Sequence, residues 1–181
     1  MTAALLTRTP RLELVAATLD LIEAELAGPE ALGALLGVPV PGSWPPGEYD
    51  RDALEFFTSR LVTGGPAALG WYNWYAITLG ADGRRESLVA GAGYMGPPAH
   101  GVVEIGYSVV PEARGRGFAT EIVRALADRA LSEDAVCKVI AHTLASNTSS
   151  QGVLRRSGFM PAGAGTEPGL LRFERARSNA R

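Results

Sequence analysis

Two glycine-rich stretches have the composition to hold a phosphate. In "LVAGAGYMGPP" (88–98), Gly91, Gly93 and Gly96 follow the spacing G-x-G-x-x-G directly after an apolar run. In "PEARGRGFATE" (111–121), Gly115 and Gly117 alternate with Arg114 and Arg116. A diphosphate site needs glycines that open a helix, because the helix start supplies free N–H groups and the positive end of its dipole. The first stretch runs into Pro97 and Pro98 and then returns to strand-like sequence, so no helix begins there. Its glycines relieve crowding within a strand or let another group approach the backbone closely. The second stretch leads into an amphipathic run, its glycines leave N–H groups uncovered, and each arginine adds up to five donors. That is an anion cradle suited to a diphosphate; a surface turn with solvated arginines is the plainer alternative. A P-loop is excluded, since the only lysine, Lys138, follows no glycine loop.

The elements that must position this cradle follow from periodicity. Residues 11–16 alternate apolar and polar and predict a strand. Helices are predicted over 19–28, closed by Gly28, over 29–37 with Pro29 in the first turn, and over 51–63 behind Asp50 as cap. The proline-glycine segment 38–50 between them is a loop. Residues 70–80, rich in aromatic and β-branched side chains, predict a strand carrying Trp71, Tyr72, Trp74 and Tyr75, which suit a core, an acceptor pocket or a dimer contact. Strands at 87–95 and 101–110 pair antiparallel across a short loop. A helix over 117–131 buries Ile122, Val123, Leu126, Ala127 and Ala130. An apolar strand covers 135–144, with Cys137 read as a small buried hydrophobe. A short helix follows, capped by Asn147 or Ser149 and ended by Gly158 in a left-handed conformation, and a last strand covers 169–176. Residues 177–181 are expected to fray. The strand–helix–strand run from Val102 to Leu144 makes one strand pair parallel, so the sheet is mixed.

Composition narrows the function. The 181 residues suit a single domain, residues 1–181. No apolar run is long enough to span a bilayer and the first residues do not form a secretory signal, so the expectation is a cytoplasmic protein with no membrane partner. One cysteine rules out an internal disulfide, and two histidines beside it make a zinc site an unpromising reading. Net charge is −2, which argues against general nucleic-acid binding. Residues 1–100 carry net −5 and residues 101–181 net +3, so one half suits a cationic partner and the other an anionic one.

"VEIGYSVVPEARGRGFATEIV", followed by "NTSSQGVLRRSGF", resembles the GNAT superfamily of acyl-CoA-dependent N-acyltransferases. Arg114, Gly117 and Ala119 match its Gln/Arg-x-x-Gly-x-Gly/Ala signature, and the second segment is similar to its Asn-containing helix ending in Gly-Phe. "TPRLEL" is similar to the opening strand of the branch that acetylates ribosomal-protein N-termini. The resemblance implies an α/β fold of three layers: a mixed, mainly antiparallel sheet flanked by helices, with the parallel strand–helix–strand unit at the cofactor site. It implies acetyl-CoA as acyl donor, with the main-chain amides of Arg114, Gly115, Arg116, Gly117, Phe118, Ala119 and Thr120 on the diphosphate. The strand before the signature would carry a bulge, and the pantetheine arm would lie between Val109, Val110 and the strand 136–143. There the Val110 N–H would polarise the thioester carbonyl, with Asn147 and Ser150 beside the pantetheine and sulfur.

The acceptor implied is a primary amine, either a small molecule or a peptide N-terminus, attacking directly in a ternary complex. A base must take a proton from that amine. Glu104, which interrupts an apolar strand and corresponds to a glutamate used as base in some relatives, is the candidate, with His142 in reserve; a solvated or arginine-paired glutamate is the alternative. The tyrosine that many relatives offer to the departing thiolate is replaced by Leu154, which leaves Ser150, water or Tyr107 for that step. Arg155 and Arg156 either complement the end of their helix or reach the coenzyme phosphates. The acidic N-terminal half favours a cationic acceptor, and a homodimer is compatible with the sequence. The competing functions are a non-catalytic acyl-CoA sensor or scaffold of the same fold and, on "GAGYMG" alone, a nucleotide-dependent oxidoreductase.

Overall fold

The computed structural model describes residues 5–47 and 50–177. Eight strands form one sheet: β1 (Leu6–Arg8), β2 (Leu12–Ala16), β3 (Asn73–Leu79), β4 (Arg85–Tyr94), β5 (Val102–Val109), β6 (Lys138–Leu144), β7 (Met160–Ala164) and β8 (Leu170–Ala176). Their spatial order is β1-β2-β3-β4-β5-β6-β8-β7. Every neighbouring pair is antiparallel except β5 and β6, which flank the helix α4 (Phe118–Ser132) and run parallel. The remaining helices are α1 (Leu19–Ala27), α2 (Pro29–Leu36), α3 (Arg51–Gly64) and α5 (Thr148–Arg156).

Alternation along the strands sends side chains to two cores. Leu12, Leu14, Trp74, Val103 and Ile105 meet Phe118, Ile122 and Leu126 of α4, together with Leu154 of α5. Val15, Tyr75, Ile77 and Leu88 meet Leu21, Leu32, Leu54 and Leu61 of α1, α2 and α3 on the opposite face. The result is the expected three-layer, mainly antiparallel α/β arrangement. All five residues assigned to the buried face of α4 are fully buried. Each such aliphatic side chain larger than alanine contributes about 1.5–3 kcal/mol.

Some expectations are corrected. The strand expected over 70–80 begins at Asn73; Trp71 and Tyr72 lie in the turn before it. Trp74 and Tyr75 are fully buried within the chain, so they are core and not a dimer contact. Cys137 is exposed, because the strand starts one residue later and its thiol donates to the Gly101 carbonyl at 3.2 Å. β1 and β7 were not anticipated. β1 has three residues, and the Met-Pro-Ala-Gly-Ala of β7 lies wholly exposed with no apolar pattern to read. Of the tail expected to fray, only Arg177 lies within the described residues.

Two features of the sheet carry predictions. Gly93 has φ 155°, and a Cβ there would stand 1.8 Å from the Tyr72 carbonyl oxygen. Gly93→Ala is therefore expected to cost more than about 3 kcal/mol through overpacking and backbone strain, read as loss of soluble protein or a fall of roughly 6 °C or more in Tm. Glu13 is fully buried on the α1–α3 face and is held between Arg8 and Arg85. Burial pushes its carboxyl up, but the hydrogen bonds from Arg8 and Arg85 outweigh this and hold it below the ordinary carboxylate range. A lowered folded-state pKa means this stability is present above about pH 4 and is lost as pH falls through the folded value. Arg85→Met removes the less exposed partner and should cost about 3 kcal/mol at pH 7, with the deficit shrinking on acidification in urea-melt series.

Candidate active site

α4 starts without a side-chain cap. The side chains of Thr18, Asp50 and Asn147 cap α1, α3 and α5, each accepting a bond from a first-turn N–H. At α4 the cap is Gly117, left-handed at φ 81°, with no side-chain hydrogen bond. The first backbone bond of the helix runs from Glu121 N to the Gly117 carbonyl, so the N–H groups of Phe118, Ala119 and Thr120 have no intrahelical partner, whereas the Arg114 N–H, expected in the same set, is taken by the Pro111 carbonyl at 3.2 Å. Gly115 is also left-handed at φ 74°, with nothing within 4 Å of the position a Cβ would take. These amides face a cleft of about 550 Å³ between the end of β5, α4 and the start of α5. The Arg114 Nε donates to the Val109 carbonyl at 3.0 Å and braces the strand end, while Arg116 lies over the Phe118 ring at 4.9 Å.

The cradle is anchored from a direction the sequence did not disclose. Glu121, in the first turn of α4, accepts from Thr9 Oγ1 at 2.6 Å, Arg11 N at 3.0 Å and Arg11 Nε at 2.8 Å. Burial raises its pKa, but the Thr9 and Arg11 bonds prevail and leave it lowered. Arg11 also donates through Nη1 to the Arg116 carbonyl at 3.0 Å and lies over the Phe118 ring at 4.9 Å. The turn between β1 and β2 thus fixes the loop, across more than a hundred residues of sequence. Only the charge types could have hinted at it.

The strands β5 and β6 pair from Val102↔Lys138 to Glu104↔Ile140 and then part. The expected bulge in β5 is absent: its register with β4 is unbroken from Tyr94↔Ile105 to Ala90↔Val109. Val110 N donates to the Val89 carbonyl at 2.9 Å, so the amide expected at the thioester is already engaged in the sheet. By antiparallel alternation the N–H groups of Tyr107 and Val109 point to the other side, into the gap left by β6. Of the two valines, it is Val109 whose N–H faces this gap.

A second cleft, about 570 Å³, lies between α3 and the β4–β5 surface, and it shares Tyr107, Ser108 and Asn147 with the first. At this junction the Tyr107 hydroxyl is 2.8 Å from Ser150 Oγ. Asn147 Oδ1 is committed to the Ser150 N–H at 3.0 Å. His142 lines the second cleft, and its Nδ1 is 2.8 Å from Glu104 Oε1. The two alternative bases are therefore one hydrogen-bonded pair. His142 Nε2 is buried, with no hydrogen-bond partner among the described residues. Leu154 is fully buried in the core, far from offering a proton. Arg155, in the last turn of α5, lies over the Phe173 ring at 5.4 Å.

Residues 12–160 match the family model for the acetyltransferase (GNAT) domain. The chain belongs to the GNAT acetyltransferase family. An N-acetyltransferase of Bacillus subtilis, YjdG, is 28% identical over 156 residues, covering 86% of this chain and 89% of that one. A ribosomal-protein-S5-alanine acetyltransferase from Vibrio fischeri has the same fold, with a TM-score of 0.64 at 14% identity, over 98% of this chain and 99% of that one. So does the ribosomal L7/L12 alpha-N-protein acetyltransferase RimL, solved in complex with coenzyme A, with a TM-score of 0.63 at 14% identity over 95% and 98%. Membership makes this chain an acyl-CoA-dependent acetyltransferase. The first cleft fits such a group: open space at Gly115, an uncapped helix start and strand amides at its inner end are what a diphosphate followed by a narrow arm requires. Among the described residues no helix of this acetyltransferase is long and apolar enough to cross a membrane, and no cluster of metal-ligating side chains occurs.

Proposed function

We propose that the protein transfers the acetyl group of acetyl-CoA to a primary amine, by direct attack in a ternary complex. The observation that carries this is the meeting of two clefts at Tyr107, Ser108 and Asn147, with an anion cradle at one end and the Glu104–His142 pair against the other. Acetyl-CoA supplies an activated acyl group with a thiolate as leaving group.

The protein's part is positioning and proton handling. The amides of Gly115, Arg116, Gly117, Phe118, Ala119 and Thr120 hold the diphosphate, with Arg114 bracing the end of β5. The Val109 N–H donates to the thioester carbonyl, and the Asn147 amide nitrogen, unused by the cap, faces the pantetheine arm. The amine proton leaves toward the Glu104–His142 pair: Glu104, the more open of the two side chains, accepts it directly or through water, while His142 holds the carboxylate through Nδ1. The Tyr107–Ser150 pair supplies a proton on the thiolate side. Burial raises the Tyr107 phenol above its ordinary value, partly offset by the Ser150 bond, so it stays protonated through the neutral range.

Tyr107→Phe keeps the ring and loses the proton, so kcat should fall about 100-fold with coenzyme affinity unchanged. The general test is thiol release from acetyl-CoA across a panel of amines and peptides. Release with at least one amine is expected; tight coenzyme binding with no release from any would favour the sensor reading instead.

A further inference from the structure

We infer that the acceptor is a primary amine carried on a slim apolar body, a flat aryl or unbranched alkyl group close to the nitrogen, and not a polycation. This rests on the amine-transfer reading above and names the substrate class for it. The second cleft is bounded on its sheet side by Gly91, Gly93 and Gly106, with Gly93 and Gly106 directly opposite in register. Tyr72 accounts for the glycine at 93, but nothing in the backbone accounts for Gly106. Its φ lies outside the left-handed region, and a Cβ there would meet only the Met95 methyl, the far end of a flexible side chain, at 2.9 Å. The fold does not need glycine at 106, and the missing side chain leaves room in the cleft.

The facing wall is aromatic. Phe56 packs edge-on against Phe57 and Tyr72, with ring centroids 5.8 and 6.2 Å apart. At the rim, Phe56 and Met95 are 42% and 58% exposed, large apolar surfaces that a bound ligand would cover. Among the described residues lining this cleft there is no carboxylate to receive the distal ammonium of a polyamine. A slot between glycine and aromatic surfaces takes a flat or thin apolar group, and it ends at His142 and Tyr107, where the amine must react.

The test is calorimetric titration of the CoA-loaded protein with 2-phenylethylamine, a peptide beginning with phenylalanine, and spermidine. At least one of the first two should bind about tenfold or more tighter than spermidine; which of them does so separates a free amine from a peptide N-terminus. Gly106→Val should weaken that binding about tenfold with coenzyme affinity unchanged. Phe56→Ala, at a half-exposed surface position with little bearing on folding, should weaken it likewise. Tighter binding of spermidine, or unchanged apolar-amine affinity in both variants, overturns the inference. Binding as expected with no acetyl transfer would uphold the inference while removing the transfer reading; transfer to spermidine with neither apolar amine bound would do the reverse.

Discussion

Ala119→Glu should leave the fold at least as stable and remove coenzyme binding in the same molecule. Ala119 is the second residue of α4, in the cleft that Gly115 and Gly117 open. A glutamate there complements the helix dipole, worth about 0.3–1 kcal/mol, so Tm should hold or rise by roughly 1–3 °C. The same carboxylate would stand where the diphosphate needs bare N–H groups, adding like charge and competing for the donors. Coenzyme A affinity, measured calorimetrically, should fall about 100-fold or more. Ala119→Gln adds nearly the same bulk without charge and should lose much less. A glutamate variant that binds coenzyme normally would mean the anion sits elsewhere.

Glu104→Gln should separate chemistry from binding. The substitution preserves size, but it removes the carboxylate that accepts the amine proton beside His142 Nδ1. Turnover should fall by about 10²–10⁴-fold, with coenzyme affinity within roughly twofold of the parent. His142→Ala should fall into the same range, and the double variant should be little worse than either single one, as for residues that act as a unit. Equal activity of Glu104→Gln and parent would return Glu104 to the role of a surface carboxylate paired with a histidine.

Legibility in the sequence followed the length over which each interaction acts. The α4 face was readable because five apolar residues recur at helical spacing, and all five are buried. The bare helix start behind Gly117 was readable because glycines, a proline and a helix start are adjacent in the chain. The first glycine stretch was rightly placed in a strand, and Gly93 meets the close backbone approach expected of it. What stayed hidden was long-range. The Thr9–Arg11–Glu121 clasp joins residues with no shared pattern. The meeting of Glu104 with His142 depends on the parallel register of β5 and β6, which no local periodicity encodes. The shift from Val110 to Val109 turns on which way alternate amides point, set by the pairing of β5 with β4. The pairing of Tyr107 with Ser150 was open to a reader who noted the missing tyrosine at Leu154, but only the packing of α5 against α4 and β6 brings the two hydroxyls within 2.8 Å.

The most direct measurement is a crystal structure of the protein grown with acetyl-CoA. The diphosphate should lie on the amides of Gly115 to Thr120 and the thioester carbonyl within hydrogen-bonding distance of the Val109 N–H. Coenzyme density on another surface, or a thioester turned away from the gap between β5 and β6, would contradict the account.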